Sequence, residues 1–243
     1  MSELCRASGA GANIRQKRAG GAVMRVGLDM LVAVVESRFN QFAIRFEPHL
    51  YASRPRWMEG GVRRFRVIHE CSENTAWAFG ATSFGMYQIL GANIYGICKY
   101  DDKIFRFVGD SGVQLECFKT FVSEVCGQKY EIVEKRVLEE VDRLSRVYKE
   151  VGDFGEVVSK DSQLSVFVRR YNGAPHGSKL FDSYVRRMVL AYISFSKEAD
   201  KVEEFDFGGV KGFVGVSVVG LSESDAKLLS GSSGEEVSGE EKT

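Results

Sequence analysis

Three short stretches hold side chains able to do acid chemistry on a sugar. They are Glu36-Ser37, Gly85-Met86-Tyr87-Gln88 and Tyr171-Asn172-Gly173. A carboxyl, an amide and a tyrosine-asparagine pair, brought together by helices, suit a site that cleaves a sugar polymer. Glu36 follows Val32 by one turn, at the edge of an apolar stripe of Leu28, Leu31, Val32 and Val35. A carboxyl there is partly desolvated, which favours its protonated form near neutral pH. Glycosidic cleavage needs such an acid to protonate the departing oxygen. On periodicity alone, a glutamate that caps or salt-bridges the helix end is the commoner arrangement.

Gly85 admits close approach of backbone or ligand. Gln88 offers both a donor and an acceptor, as N-acetyl groups require. An ordinary helix start with a solvent-facing glutamine would carry the same letters. Tyr171 can hold a carboxyl or stack on a sugar ring, or serve as a core tyrosine before a turn. Asn172-Gly173 marks a helix C-terminus. Glu47, in Arg45-Phe46-Glu47-Pro48-His49, is a carboxylate amid aromatic groups. It is a candidate second acid, although half-buried acids more often pair with a base such as Arg45.

Elements must position these residues. Residues 26–37 read as a helix, and 39–51 as an aromatic stretch that turns at Pro48. Residues 53–61 read as loop, with Pro55, Gly60 and Gly61 as breakers. Residues 62–71 alternate weakly, as a short strand would. Ser72 is the N-cap candidate of a helix reaching Ala78. Residues 84–90 read as a short helix, ended by a Gly91-Ala92-Asn93 break. Residues 103–126 hold one long amphipathic helix, striped by Val113, Cys117, Phe118, Phe121 and Val125. The clearest helix is 131–151, with Ile132, Val133, Val137, Val141, Leu144 and Tyr148 on one side. Further helices are expected over 163–170 and 184–196, and a small hairpin over 205–219. The fold class is therefore mainly α (α+β), with a few short strands.

A chain of 243 residues can bury a full core. Lysine plus arginine equals aspartate plus glutamate at 33 each, so the net charge points to no partner. Its distribution is uneven. Arg6, Arg15, Lys17, Arg18 and Arg25 face only Glu3 in residues 1–25, while residues 222–243 hold six acids against Lys227 and Lys242. The expected organisation is a flexible basic arm (1–25), a core domain (26–198), a hairpin appendage (199–221) and a disordered acidic tail (222–243). A basic arm can touch nucleic acid, but a solvated tail is the commoner use, and no nucleic acid is expected. No apolar run approaches the roughly 18 residues of a membrane span, and no secretory signal is recognisable. The five cysteines form no CxxC pair and the three histidines no HExxH. Buried thiols in a reducing compartment are expected, with no metal and no cofactor. A monomer is expected.

Taken in order, Glu-Ser, Gly-x-x-Gln and Tyr-Asn-Gly resemble the lysozyme superfamily of peptidoglycan-cleaving enzymes, which includes the soluble lytic transglycosylases. The resemblance is closer to the phage-type N-acetylmuramidases found in endolysins. That family is similar in a Val-Glu-Ser helix end (Val35 to Ser37), a Phe-Glu-x-His stretch (Phe46 to His49) and a Ser-aromatic-Gly-x-x-Gln-Ile stretch (Ser83 to Ile89). It is also similar in a Gln-Leu-x-x-Phe stretch (Gln114 to Phe118) and in Arg-Tyr-Asn-Gly (Arg170 to Gly173). The resemblance covers roughly residues 26–195. It implies a lysozyme-like helical domain acting on peptidoglycan glycan strands, at the bond between N-acetylmuramic acid and N-acetylglucosamine. It implies Glu36 as catalytic acid and, less directly, Glu47 as a second one. Ser37, Ser83, Gly85, Tyr87, Gln88, Tyr171 and Asn172 would line the cleft. The chain departs from the family where Arg38-Phe39 replace glycines after the Glu-Ser pair, and where Ala174 separates Gly173 from Pro175. The resemblance implies synthesis in the cytoplasm and action on the cell wall after release, or from a virion. A non-catalytic glycan-binding or virion structural relative, and a nucleic-acid or partner-binding protein using the basic arm, are the rival readings.

Overall fold

Apolar side chains at helical spacing decide most of the architecture. A computed structural model describes residues 26–198 and the backbone of two further segments, 203–207 and 210–214. The expected arm and acidic tail lie outside the described residues. Helix α1 (Leu28–Ser37) buries Leu28, Leu31, Val32, Ala33 and Val35. Strand β1 (Ile44–Phe46) and helix α2 (Pro48–Ser53) follow. A 3-10 turn (Arg56–Met58) leads into α3 (Glu59–His69) and then α4 (Glu73–Gly80). Strands β2 (Thr82–Phe84) and β3 (Ile89–Leu90) complete an antiparallel sheet of order β1-β2-β3. The remaining helices are α5 (Gly91–Gly96), α6 (Ile104–Gly109), α7 (Ser111–Cys126), α8 (Tyr130–Val147), α9 (Phe154–Val157), α10 (Gln163–Tyr171) and α11 (Lys179–Glu198). Beyond them β4 (Glu203–Phe207) pairs antiparallel with β5 (Val210–Val214), within the stretch expected to form a hairpin. The fold is mainly helical with a small sheet, as expected of an α-rich lysozyme-like domain.

The core runs along α8 and α11. Val133, Val137, Val141 and Leu144 of α8 are fully buried, as are Phe181, Val185, Met188 and Val189 of α11. Each such side chain contributes about 1.5–3 kcal/mol through burial. Helix α11 also packs on α1, so the helix carrying Glu36 is held against the centre of the molecule.

Several expected elements differ. Residues 62–71 form no strand, because α3 runs from Glu59 straight through Gly60 and Gly61. Gly61 is not a breaker there: a Cβ on it would lie 1.9 Å from the Ala92 carbonyl oxygen, so only a bare backbone lets α3 meet α5. The Gly91-Ala92-Asn93 break is instead the start of α5. Residues 84–90 form the end of β2, a turn and β3, and not a helix, because Gly85 and Gln88 take left-handed backbone, with φ of 77° and 50°. The long helix expected over 103–126 splits at Asp110, whose side chain accepts from the Val113 N–H and so starts α7. Ile132 of the expected α8 stripe is exposed. Ser72 caps α4 as expected, accepting from the Thr75 N–H. Cys98 and Cys117 are not separate thiols. The packing of α7 against the segment after α5 brings their Cα atoms within 5.3 Å, and they form a disulfide. Cys71 and Cys126 are free, and burial pushes the Cys126 thiol up to about 11.

Candidate active site at the end of the first helix

The last turn of α1 carries Glu36 and Ser37. Glu36 is half-buried, and its Oε1 accepts a hydrogen bond from the Tyr184 hydroxyl at 2.9 Å. Tyr184 is buried in α11, one turn before Arg187. The Arg187 guanidinium lies 5.4 Å over the Tyr184 ring and donates to the Val35 carbonyl at 3.2 Å. Asn172, which ends α10, adds a hydrogen bond to the Glu36 carboxyl. Burial is the largest influence and pushes this carboxyl above the ordinary glutamate range. The Tyr184 hydrogen bond, the Arg45 and Arg187 charges and Asn172 pull it back only in part. The result is a carboxyl that keeps its proton to higher pH than a solvated one. Two buried polar atoms here, Asn172 Oδ1 and Arg187 Nε, have no hydrogen-bond partner in the protein. Each such atom costs about 1–3 kcal/mol, which a polar ligand could offset.

Arg45 links the two expected acids. Its Nε donates to Glu47 Oε1 at 2.6 Å, while its charge also acts on Glu36. His49 Nδ1 stands 4.0 Å from the other Glu47 oxygen. Glu47 therefore makes the ion pair that the sequence offers as the alternative to catalysis, at the strand-to-helix step between β1 and α2.

The other expected residues gather on the β2–β3 turn, mostly as its framework. Ser37 Oγ donates to the Met86 carbonyl at 2.8 Å and shares its proton with the Ala33 carbonyl at 3.2 Å. It thus ties the helix end to the turn. Ser83 is buried at the centre of β2, opposite Arg45 on one side and Leu90 on the other. The space beside Gly85 is filled by the side chain of Gln114, which a Cβ would meet at 2.3 Å. Gln114 is fully buried. Its Oε1 accepts from the Met86 N–H at 2.8 Å, and its Nε2 donates to the Gln41, Phe107 and Val108 carbonyls at 3.0–3.1 Å. The Tyr87 ring stacks on Phe118 in the core, 4.4 Å between centroids, and so does not line a cleft. Its backbone carbonyl accepts from the Tyr171 hydroxyl. Tyr171 therefore braces the turn, its ring packed on Phe167 and Phe121, and leaves the holding of Glu36 to Tyr184. The Gln88 amide nitrogen is used inside the turn, donating to the Gly85 and Ala43 carbonyls at 2.9 and 3.2 Å.

Arg38 and Phe39, which stand where the resembled family has glycines, have φ of 56° and 62°. They keep a backbone shape that glycine adopts freely, at about 1–2 kcal/mol per residue. The Phe39 ring rests edge-on against Phe195 of α11, 6.2 Å between centroids, which helps to offset that strain.

Tyr184 and Arg187 escape the reading of motifs. Their only signal is two polar groups three residues apart on the core-facing stripe of an amphipathic helix. Among the described residues no cluster of His, Cys, Asp or Glu could hold a metal ion, and no helix is long and apolar enough to cross a membrane.

Over 95 residues the chain is 30% identical to the endolysin of Enterobacteria phage PRD1, a match covering 38% of this chain and 64% of that protein. The chain carries an endolysin-like segment. It spans just under two thirds of that relative's length. No family model matches the chain, and no solved structure matches it.

Proposed function

We propose that this chain degrades peptidoglycan as a muramidase, cutting between N-acetylmuramic acid and N-acetylglucosamine with Glu36 as general acid. The observation that carries the reading is the Glu36 carboxyl itself, desolvated, raised in proton affinity and oriented by Tyr184. The likeness to a phage endolysin supports the substrate class. Glu36 protonates the bridging oxygen, and positive charge develops on the muramic acid ring as the bond opens. The second step has two routes. Water activated by Glu47, across Arg45, gives hydrolysis. Attack by the sugar's own 6-hydroxyl, with the Glu36 carboxylate taking its proton, gives an anhydro end. Asn172, with its unpaired Oδ1, suits the binding of an N-acetyl group. Ser37, Gly85, Tyr87 and Tyr171 shape the turn beside the acid.

The test is mass spectrometry of fragments released from purified sacculi. Wild type should release muropeptides ending in muramic acid or in its anhydro form, which also chooses between the two routes. Glu36→Gln should release none while keeping the wild-type circular dichroism. Full release by a folded Glu36→Gln protein would end the proposal. Binding of wild type to sacculi without any release would favour a glycan-binding role instead.

A further inference from the structure

A second region of the surface has a chemistry unrelated to Glu36. It begins with the contact of α3 and α5, where Gly61 meets the Ala92 carbonyl and a Cβ on Gly96 would lie 3.3 Å from Gly61 Cα. Gly60 and Gly96 line the groove alongside this contact. That groove encloses about 570 Å³. Arg63, Arg64 and Lys99 stand on it, with Val67, and Asp101 is the acid among its lining residues. One edge of the Arg64 guanidinium is fixed by donation to the Lys99 carbonyl at 3.1 Å. Arg56 and Arg66 are also exposed on this stretch, against Glu59 and Glu70. A chain with no net charge therefore concentrates cations here.

Two large apolar side chains are exposed on the same stretch of chain. Trp57, just before α3, is 59% exposed, and Val67, on the groove, is 72% exposed. Arginines alone would suit any polyanion. A phosphate backbone offers nothing to Val67, whereas a lipid surface takes both kinds of group. Its phosphates meet the guanidiniums, and its acyl boundary takes valine and tryptophan. We infer that the α3–α5 groove and the exposed face of α3 dock this protein on a bilayer containing anionic phospholipid. The groove takes a lipid phosphate between Arg63, Arg64 and Lys99, and Trp57 and Val67 enter the headgroup boundary.

Flotation of the full chain with vesicles of phosphatidylcholine, with or without one third phosphatidylglycerol, tests this. Binding is expected only to the anionic vesicles, and high salt should release it. Trp57 and Trp77 are the two tryptophans, and Trp77 is 6% exposed, so a lipid-induced blue shift of emission reports Trp57. Trp57→Phe should abolish that shift. Arg63→Glu with Arg64→Glu should weaken binding at least about thirtyfold, since each arginine near an anionic surface is worth about fivefold. Val67→Ser, which keeps every charge, should weaken it by a smaller factor. Thermal unfolding verifies that each variant folds. The inference is overturned by equal binding to neutral vesicles, or by no binding to anionic ones. Undiminished binding of the double arginine variant overturns it too, as does binding that disappears only when residues 1–25 are removed. Preference for duplex DNA over vesicles at the same salt would assign the face to another partner.

Discussion

The turn beside Glu36 rests on a wedge whose strength can be measured. At Gly85 a Cβ would stand 2.3 Å from Gln114 Oε1 and 2.6 Å from its Cδ. The Gln114 amide cannot swing aside without abandoning the Met86 N–H and the Phe107 carbonyl, both bonded to it in the interior. Gly85→Ala therefore carries two costs. Left-handed backbone strain is about 1–2 kcal/mol. Displacing the amide orphans at least one buried group, about 1–3 kcal/mol. Together they amount to about 2–5 kcal/mol, a large part of a typical stability of about 5–15 kcal/mol. Gln114→Ala alone should also be costly, through the same orphaned groups. Once Gln114 is gone, however, Gly85→Ala has room for its methyl and should cost only the strain. The double-mutant cycle should thus give a coupling of about 1–3 kcal/mol. Urea unfolding followed by circular dichroism, with unchanged denaturant slopes, provides the four stabilities. Additivity within about 0.5 kcal/mol would refute the wedge.

Other expectations concern the acid and the disulfide. Tyr184→Phe removes a hydrogen bond that favours ionised Glu36, so the carboxyl should rise further and the alkaline limb of the lytic pH profile should move up. An unmoved or lowered limb would remove Tyr184 from the site. Glu36 is a carboxyl raised on folding, so its contribution to stability is lost as pH rises from the unfolded value, about 4.3, through the folded one. Glu36→Gln should therefore be more stable than wild type at neutral pH, with the difference shrinking below about pH 4. Equal unfolding midpoints across pH 4–8 would contradict the burial of its charge. Reduction of the Cys98–Cys117 disulfide, 19 residues apart, should cost about 3 kcal/mol. A urea midpoint unchanged by dithiothreitol would show that the bond adds nothing.

Long amphipathic helices were legible because their stripes are long: α8, α10 and α11 fall where their apolar spacing places them. Short elements were not. Two or three strand residues cannot display a period, so Phe84 to Leu90 looked helical until Gly85 and Gln88 turned the chain. Gly60-Gly61 resembled a loop because a glycine that breaks a helix and one that lets two helices touch are the same letter. At the site, Glu36 was legible from its place at the edge of a stripe. Tyr184 and Arg187 were not, because their role depends on which helices meet. Arg38-Phe39 read as a departure from the resembled family, yet the backbone there keeps the left-handed shape that glycine would take. The difference lies in the side chains.

The hydrogen bond between Tyr184 and Glu36 joins residues 148 positions apart. At roughly 5–20 residues per second of synthesis, the acid leaves the ribosome some 7–30 seconds before its holder. During that interval α1 has no α11 to pack on, and Glu36 is a solvated glutamate with ordinary proton affinity. The chain acquires its acid last, when synthesis of the domain is complete.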